Sequence, residues 1–299
     1  MRTKVRLGNA SACARFVWKR QTMNSEQAVQ RLELLRRLPD EAISLAEAMH
    51  LMQVRVGASE LERSPKAALD ALAEACEPRV SAAEGPQARL VALCQFLGEE
   101  CGFQGDEEDY HDPSNSDLST VLDTRKGIPL TLSVIYMEVA MRVGVSLSAT
   151  GFPYHLLLTA SPLEDTYVDP FRAGRVMRGH ECAKLLEKMS KGSLEFDARY
   201  LEPVGSRDVL TRALRNLKFA HLLRGEVARA IEYVTMMLEW RPRLTTERRD
   251  RGLLRAQLKR WSGAMSDLDA YLRVRPEAPD RMRIELELMK ARKEILKIN

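Results

Sequence analysis

Two residues of this sequence, His155 and Asp169, have the types and the order of a general-base pair in a hydrolase. A histidine oriented by a carboxylate can take a proton from a thiol or hydroxyl nucleophile. Segments of strand character cover residues 154–160 and 166–168, so we expect one strand to carry His155 and the next to end at Asp169. The alternative is a histidine that is merely hydrogen-bonded in a half-buried sheet.

A nucleophile for this pair is not obvious from the residues. Thr131 and Ser133 supply hydroxyls in an apolar run that predicts a helix from Leu130 to Gly144. Because a helix turns about 100° per residue, neither side chain points where residue 129 would. Cys94 and Cys101 precede this helix, and we interpret them as buried packing residues.

The cysteines also bear on metals and on the cellular compartment. Their number is odd and their spacing has no paired metal-ligand pattern, so the sequence predicts packed thiols, a reducing cytoplasm, no metal and no cofactor. The five positions are Cys13, Cys76, Cys94, Cys101 and Cys182.

The elements around these residues are mostly helical. Apolar residues recur at helical spacing in residues 25–57, 65–75 and 87–103, whereas residues 106–116 form a polar, turn-rich loop. A short helix at Leu118–Leu122 and a further strand at residues 145–150 complete the central region. The fold class predicted is therefore α+β and mostly α, with a small sheet.

Charge and hydropathy exclude two classes of partner. The net charge is +4, but residues 1–22 contain six basic residues and no acidic one, so the remaining body is close to neutral. The body therefore lacks the electrostatic footprint of a nucleic-acid-binding fold, and a nucleic-acid-binding regulator rests on the tail alone. No apolar run reaches the roughly 18 residues that a membrane span needs. We expect residues 1–24 to be a disordered basic tail.

The last third of the chain contains an internal repeat. Ala230 and Ala264 lie 34 positions apart, as do Leu238 and Leu272, and Pro242 and Pro276. A period of 34 residues, with a small residue in the second helix and a closing proline, is typical of tetratricopeptide (TPR) repeats. Two repeats and a final helix from residue 280 to 297 would form a short stack of helices.

A basic stretch within this repeat region has two interpretations. It could be a solvated helix face balanced by Glu239, Glu247 and Asp250, or it could line a groove for acidic peptide side chains or a carboxylate terminus. In the second case, Arg248, Arg251 and Arg255 are the candidate partner-binding residues.

Five segments of the chain resemble the SirB-type bacterial family, whose members are similar to transglutaminases and carry C-terminal TPR units. The resemblance implies a transglutaminase-like (cysteine-proteinase-like) α+β core, and a nucleophilic cysteine two residues after Gly127. This sequence has Pro129 there, and Pro129 cannot attack a substrate. The segments are Tyr110–Ser116, Leu118–Leu122, Arg125–Tyr136, Gly151–His155 and Asp169–Gly174.

The resemblance and the repeats together predict four regions: a tail (1–24), a helical N-terminal region (25–104), a transglutaminase-like core (105–203) and TPR-like hairpins (204–299). We expect a non-catalytic cytoplasmic adaptor or regulator that binds a protein or peptide through its TPR region. The alternative is a cryptic hydrolase or acyl transferase, in which His155 and Asp169 act with an unconventional nucleophile. The sequence leaves the oligomeric state open.

Overall fold

The computed structural model describes residues 24–57 and 64–298, and the expected tail lies outside the described residues. Within these ranges the chain forms twelve α-helices and six short strands, so the mostly helical α+β class is confirmed. The chain divides into two compact units between Val209 and Leu210. The boundary expected between the helical N-terminal region and the transglutaminase-like core, at residues 104 and 105, stays a prediction.

The first unit begins with four helices that have clear sequence signals. Asn24 and Gln27 form a capping box at the first helix, and Ser64 caps the third, which has Pro65 at its first position. The helix expected over residues 87–103 is interrupted, because the chain enters a π-helical turn at Gln95–Glu100. The helices are α1 (Ser25–Arg37), α2 (Leu45–Arg55), α3 (Pro65–Ser81) and α4 (Gly85–Cys94).

The centre of this unit is a helix that is buried on nearly every side. Asp117 caps the short preceding helix, which ends at Arg125 in a left-handed conformation. Pro129 then opens the central helix, where a proline is tolerated because the first-turn N–H has no partner within the helix. The elements are β1 (Gln104–Gly105), α5 (Leu118–Thr124), β2 (Lys126–Gly127) and α6 (Pro129–Arg142).

The main sheet has four antiparallel strands in the order β3-β4-β5-β6, while β1 and β2 form a separate parallel pair. Leu147 of β3 lies opposite Ala160 of β4, and Leu158 of β4 lies opposite Val168 of β5. The sequence did not indicate β1, β2 or β6, because strands of two or three residues have no readable alternation. The elements are β3 (Ser146–Ala149), β4 (Leu158–Ser161), β5 (Tyr167–Asp169), β6 (Arg175–Met177) and α7 (Gly179–Ser190).

The second unit contains the helical repeat predicted from the 34-residue period. Gly252 occupies the small position of its repeat, and a Cβ atom there would overlap the side chain of Leu268. Lys218, which replaces a small residue in the first repeat, forms salt bridges with Glu247 and Asp250 instead. The helices are α8 (Ser206–Leu223), which begins in the first unit, α9 (Val227–Trp240), α10 (Thr245–Gln257), α11 (Trp261–Val274) and α12 (Arg281–Ile298).

Two glycines allow the turn that follows β5 to pack closely against the rest of the unit. A Cβ atom on Gly98, in the π-helical turn, would overlap the carbonyl oxygen of Ala173. A Cβ atom on Gly105 would likewise overlap the ring of Phe171. The absence of side chains at these two positions therefore sets the path of the chain directly after Asp169.

We expect Gly98→Ala to lower the free energy of unfolding by about 3 kcal/mol, since backbone atoms must move to admit the methyl group. The turn after Asp169 should shift with them, and the NMR signals of the His155 ring should change. Gly151→Ala is the control, because its Cβ would lie at an acceptable 3.4 Å from Val204. Equal urea-unfolding midpoints for the two variants would contradict the proposed tight contact.

Candidate functional site

The structure brings together the two residues that the sequence singled out as a base pair. His155 Nε2 lies 2.7 Å from Asp169 Oδ1, and both side chains are buried. Asp169 ends β5, as expected, and its Oδ1 also accepts the backbone N–H of Phe171. The hydrogen bond from Phe171 thereby fixes the Asp169 carboxylate beside the imidazole of His155.

The expectation that a strand carries His155 is wrong. Residues 153–155 form a bend, and β4 begins only at Leu158. Tyr154 adopts a positive φ of 61° and its side chain is exposed. A non-glycine residue rarely adopts this conformation, and here it reverses the chain so that the following His155 side chain is buried.

The first turn of α6 lies beside this histidine segment. The hydroxyl of Ser133 donates a 3.3 Å hydrogen bond to the carbonyl oxygen of Leu156, which follows His155. The hydroxyl of Thr131 is buried and has no hydrogen-bond partner in the part of the chain that the structure describes. Pro129, one turn before Ser133, is buried at the start of the helix.

The free thiols are poorly suited to nucleophilic chemistry. Cys76, Cys94 and Cys182 are free and buried, and burial raises the pKa of each thiol to about 12. A thiol with such a pKa is almost wholly protonated at neutral pH and is a weak nucleophile. Cys101 is buried, as interpreted, but it is disulfide-bonded and is not a free thiol.

His155 also lines a cavity of about 370 Å³ with an aromatic wall. Phe171 meets the His155 ring edge-on at 5.7 Å between centroids, and Tyr110 meets Phe171 at 6.0 Å. Arg172 and Lys188 add positive charge to the lining and Glu107 adds a negative one. Tyr110 and Phe171 lie in segments that resemble the family, but the sequence assigned neither residue a role. No motif in the sequence pointed to Lys188, because it lies on α7 and outside those segments.

Comparison with known proteins agrees with this geometry. The profile of the transglutaminase-like superfamily matches residues 64–215, and a tetratricopeptide repeat profile matches residues 217–289. A UPF0162 protein of Xylella fastidiosa (strain 9a5c) is 34% identical over 193 residues, which are 63% of this chain and 68% of the relative. The chain belongs to the transglutaminase-like UPF0162 family. The resemblance to bacterial transglutaminase-like proteins with TPR repeats, and the order of the two domains, are confirmed.

Two further similar proteins differ in length and origin. A UPF0162 protein of Vibrio cholerae is 29% identical over 195 residues, covering 64% of this chain and 72% of the relative. F-box only protein 21 of Mus musculus is 32% identical over 106 residues, covering 32% of this chain but only 17% of that protein. A segment similar to about a third of this chain therefore forms a small part of a longer protein.

The three arginines proposed for partner binding have different surroundings. Arg251 forms two hydrogen bonds with the buried carboxylate of Asp267, at 2.8 and 2.7 Å, and Arg255 donates to the same carboxylate at 2.7 Å. Arg248 donates to the carbonyl oxygen of Pro242 at 3.2 Å. Asp267 thus pairs with both Arg251 and Arg255 within the unit and offsets one of their two positive charges. Their role in partner binding stays a prediction.

The described residues offer neither a metal cluster nor a membrane-spanning helix. In residues 24–57 and 64–298, no cluster of three or more His, Cys, Asp or Glu side chains has an arrangement that could hold a metal ion. Across the same residues, no helix combines the length and the apolar character required to cross a bilayer.

Replacing the helix-opening proline tests the alignment of the family pattern onto α6. In Pro129→Cys, we expect the helix N-terminus and His155 to lower the pKa of the new thiol below the ~8.5 of a free cysteine. The rate of alkylation as a function of pH measures this pKa. Pro129→Cys/His155→Ala is the comparison, and a normal pKa unaffected by loss of His155 would show that residues 129 and 155 do not face each other.

Proposed function

We propose that this protein is a non-catalytic adaptor or regulator, in which a transglutaminase-like domain without its nucleophile is joined to a TPR module that binds a protein partner. The observation that carries the proposal is the occupant of the nucleophile position. Pro129 has no reactive group, and the free thiols of the described chain are buried, each with a pKa raised to about 12. The cytoplasmic location stays a prediction.

The second unit offers a specific surface for a partner. Met282, Leu286 and Met289 follow one another at helical spacing along α12, and they are 77%, 58% and 56% exposed. The opposite face of α12 carries Ile284 and Leu288, which are buried in the core of the unit. A helix with a second, uncovered apolar stripe is typical of an interaction surface.

Charge indicates the chemistry of this partner. The three acidic residues of α12 each form a salt bridge with a basic residue on the same helix. Arg283, Arg292 and Lys293 are exposed and form no salt bridge with the residues that the structure describes. The stripe therefore lies on a helix with excess positive charge, and the partner that fits it is an acidic amphipathic helix rather than a second, equally basic α12.

A synthetic amphipathic helix with leucines on one face and glutamates beside them is the probe for this surface. We expect the full chain to bind it, as measured by fluorescence anisotropy, and Leu286→Lys to weaken binding at least tenfold. Val274→Lys is the matched control, since Val274 is also exposed but lies at the end of α11. Equal affinity in the two variants, or no binding at all, would contradict the assignment of the partner surface to α12.

The alternative, a cryptic hydrolase or acyl transferase, is favoured by one observation. His155 and Asp169 have the short, buried hydrogen bond of a general-base pair, and His155 lines a cavity. An unconventional nucleophile, such as a hydroxyl, would have to complete the site.

A panel of activated esters and peptide amides separates the two functions. We expect no turnover above the uncatalysed rate by the wild-type chain. The reference variants are His155→Ala, which removes the base, and His180→Ala, which removes a histidine from α7 outside the cavity lining. Turnover that disappears in His155→Ala and persists in His180→Ala would overturn the adaptor and establish the enzyme.

A further inference from the structure

A groove of about 790 Å³ runs along the outer edge of β3 in the first unit. It shares no lining residue with the cavity at His155. Met141 is 68% exposed at its wall. We call this feature the β3 groove, and its larger apolar lining residues are Ile43, Leu45, Met137, Met141, Val145, Leu147, Val204 and Val209.

The pairing register shows which backbone groups of β3 face the groove. Leu147 lies opposite Ala160, whose N–H donates to the carbonyl of Thr166 on the β5 side. In an antiparallel sheet, opposite residues alternate between hydrogen-bonded and non-hydrogen-bonded pairs. Because the N–H of Ala160 points toward β5, Leu147 and Ala160 form a non-hydrogen-bonded pair and direct their backbone groups away from each other. The N–H and C=O of Leu147 therefore point away from the sheet. Two residues later, the carbonyl of Ala149 points the same way and accepts the N–H of Val204 at 2.8 Å.

On the outer edge of β3, the backbone is thus hydrogen-bonded at Ala149 but lacks a partner at Leu147 among the described residues. In the described ranges, 24–57 and 64–298, no hydrogen bond reaches the backbone of Leu147 from outside the sheet. An edge strand with an unpaired N–H and C=O is a template for another extended chain. Main-chain hydrogen bonds then hold the added strand, and a neighbouring groove takes its side chains.

The charges of the groove favour one occupant. Among the residues that the structure describes, Glu41 and Glu138 are the only charged ones in its lining, and none of them is basic. Glu138 is paired with Arg142 at 2.7 Å, whereas Glu41 is exposed and forms no ion pair within the described chain. A second copy of β3 would bring only Ser, Leu and Ala side chains. A lysine- or arginine-containing segment complements Glu41 better than a second copy does.

We propose that the β3 groove binds an extended segment of a partner protein by strand addition at Leu147. The segment carries apolar side chains that pack against Met137 and Met141, and at least one basic side chain near Glu41. This surface lies in the transglutaminase-like unit and does not depend on partner binding by α12. It gives that unit a role that needs no nucleophile.

The probe is an acetylated and amidated heptapeptide in which lysine and valine alternate, titrated into the ¹⁵N-labelled full chain. We expect chemical-shift changes at residues 145–149, and at least tenfold slower amide exchange of Leu147 at saturation. The same peptide with alternate backbone nitrogens methylated keeps its side chains but cannot complete the ladder, so it should bind at least tenfold more weakly. A peptide with glutamate in place of lysine should also bind more weakly.

Met141→Lys is expected to reduce binding of the lysine–valine peptide at least tenfold, because it places a like charge in the groove. Met282→Lys is the matched control, since Met282 is even more exposed but lies on α12. Circular dichroism of both variants confirms folding. The proposal is overturned if the peptide leaves Leu147 unaffected at millimolar concentration, if methylation does not weaken binding, or if glutamate binds as well as lysine. Protection of Leu147 by raised protein concentration alone would identify a second copy as the occupant.

Discussion

The burial of α6 is the constraint on which the rest of the first unit depends. The polar side chains of a helix enclosed on nearly every side can find hydrogen-bond partners only within the protein. Glu138 does so by accepting the N–H of Ala46 at the start of α2 and pairing with Arg142. At the other end, Ser133 bonds to the backbone beside His155. The same helix therefore organises the N-terminal helices and the base pair.

This arrangement explains how the contact between His155 and Asp169 can persist with a proline at residue 129. Asp169 is held by the hydrogen bond from Phe171, and the turn that carries Phe171 is seated against Gly98 and Gly105. None of these contacts needs a reactive group at residue 129, where proline instead favours the start of the helix. Packing can thus retain the His155–Asp169 pair for structural reasons, while binding surfaces elsewhere supply the function that we propose.

Several features could be predicted from the sequence because they depend on local chemistry. Helical spacing of apolar residues located α1 and α2, and a continuous apolar run located α6. Ser64 caps α3 at the start that its sequence favours. The repeat at Ala230 and Ala264 located the helical hairpins, because both residues are fully buried where helices pack. The pairing of residues 155 and 169 could be anticipated from the order of the segments that carry them.

The sequence by itself determined the fold class, the repeat, the proline at residue 129 and the two residues, His155 and Asp169, that meet in the structure, since these depend on residue type and on the order of short segments. Only the tertiary structure decided that His155 lies in a bend and that Asp267 accepts hydrogen bonds from Arg251 and Arg255. It also decided that the backbone N–H and C=O of Leu147 point away from the sheet. The physical reason is that these features depend on partners distant in the chain. Strand register and charge compensation are settled by packing, which local composition does not encode.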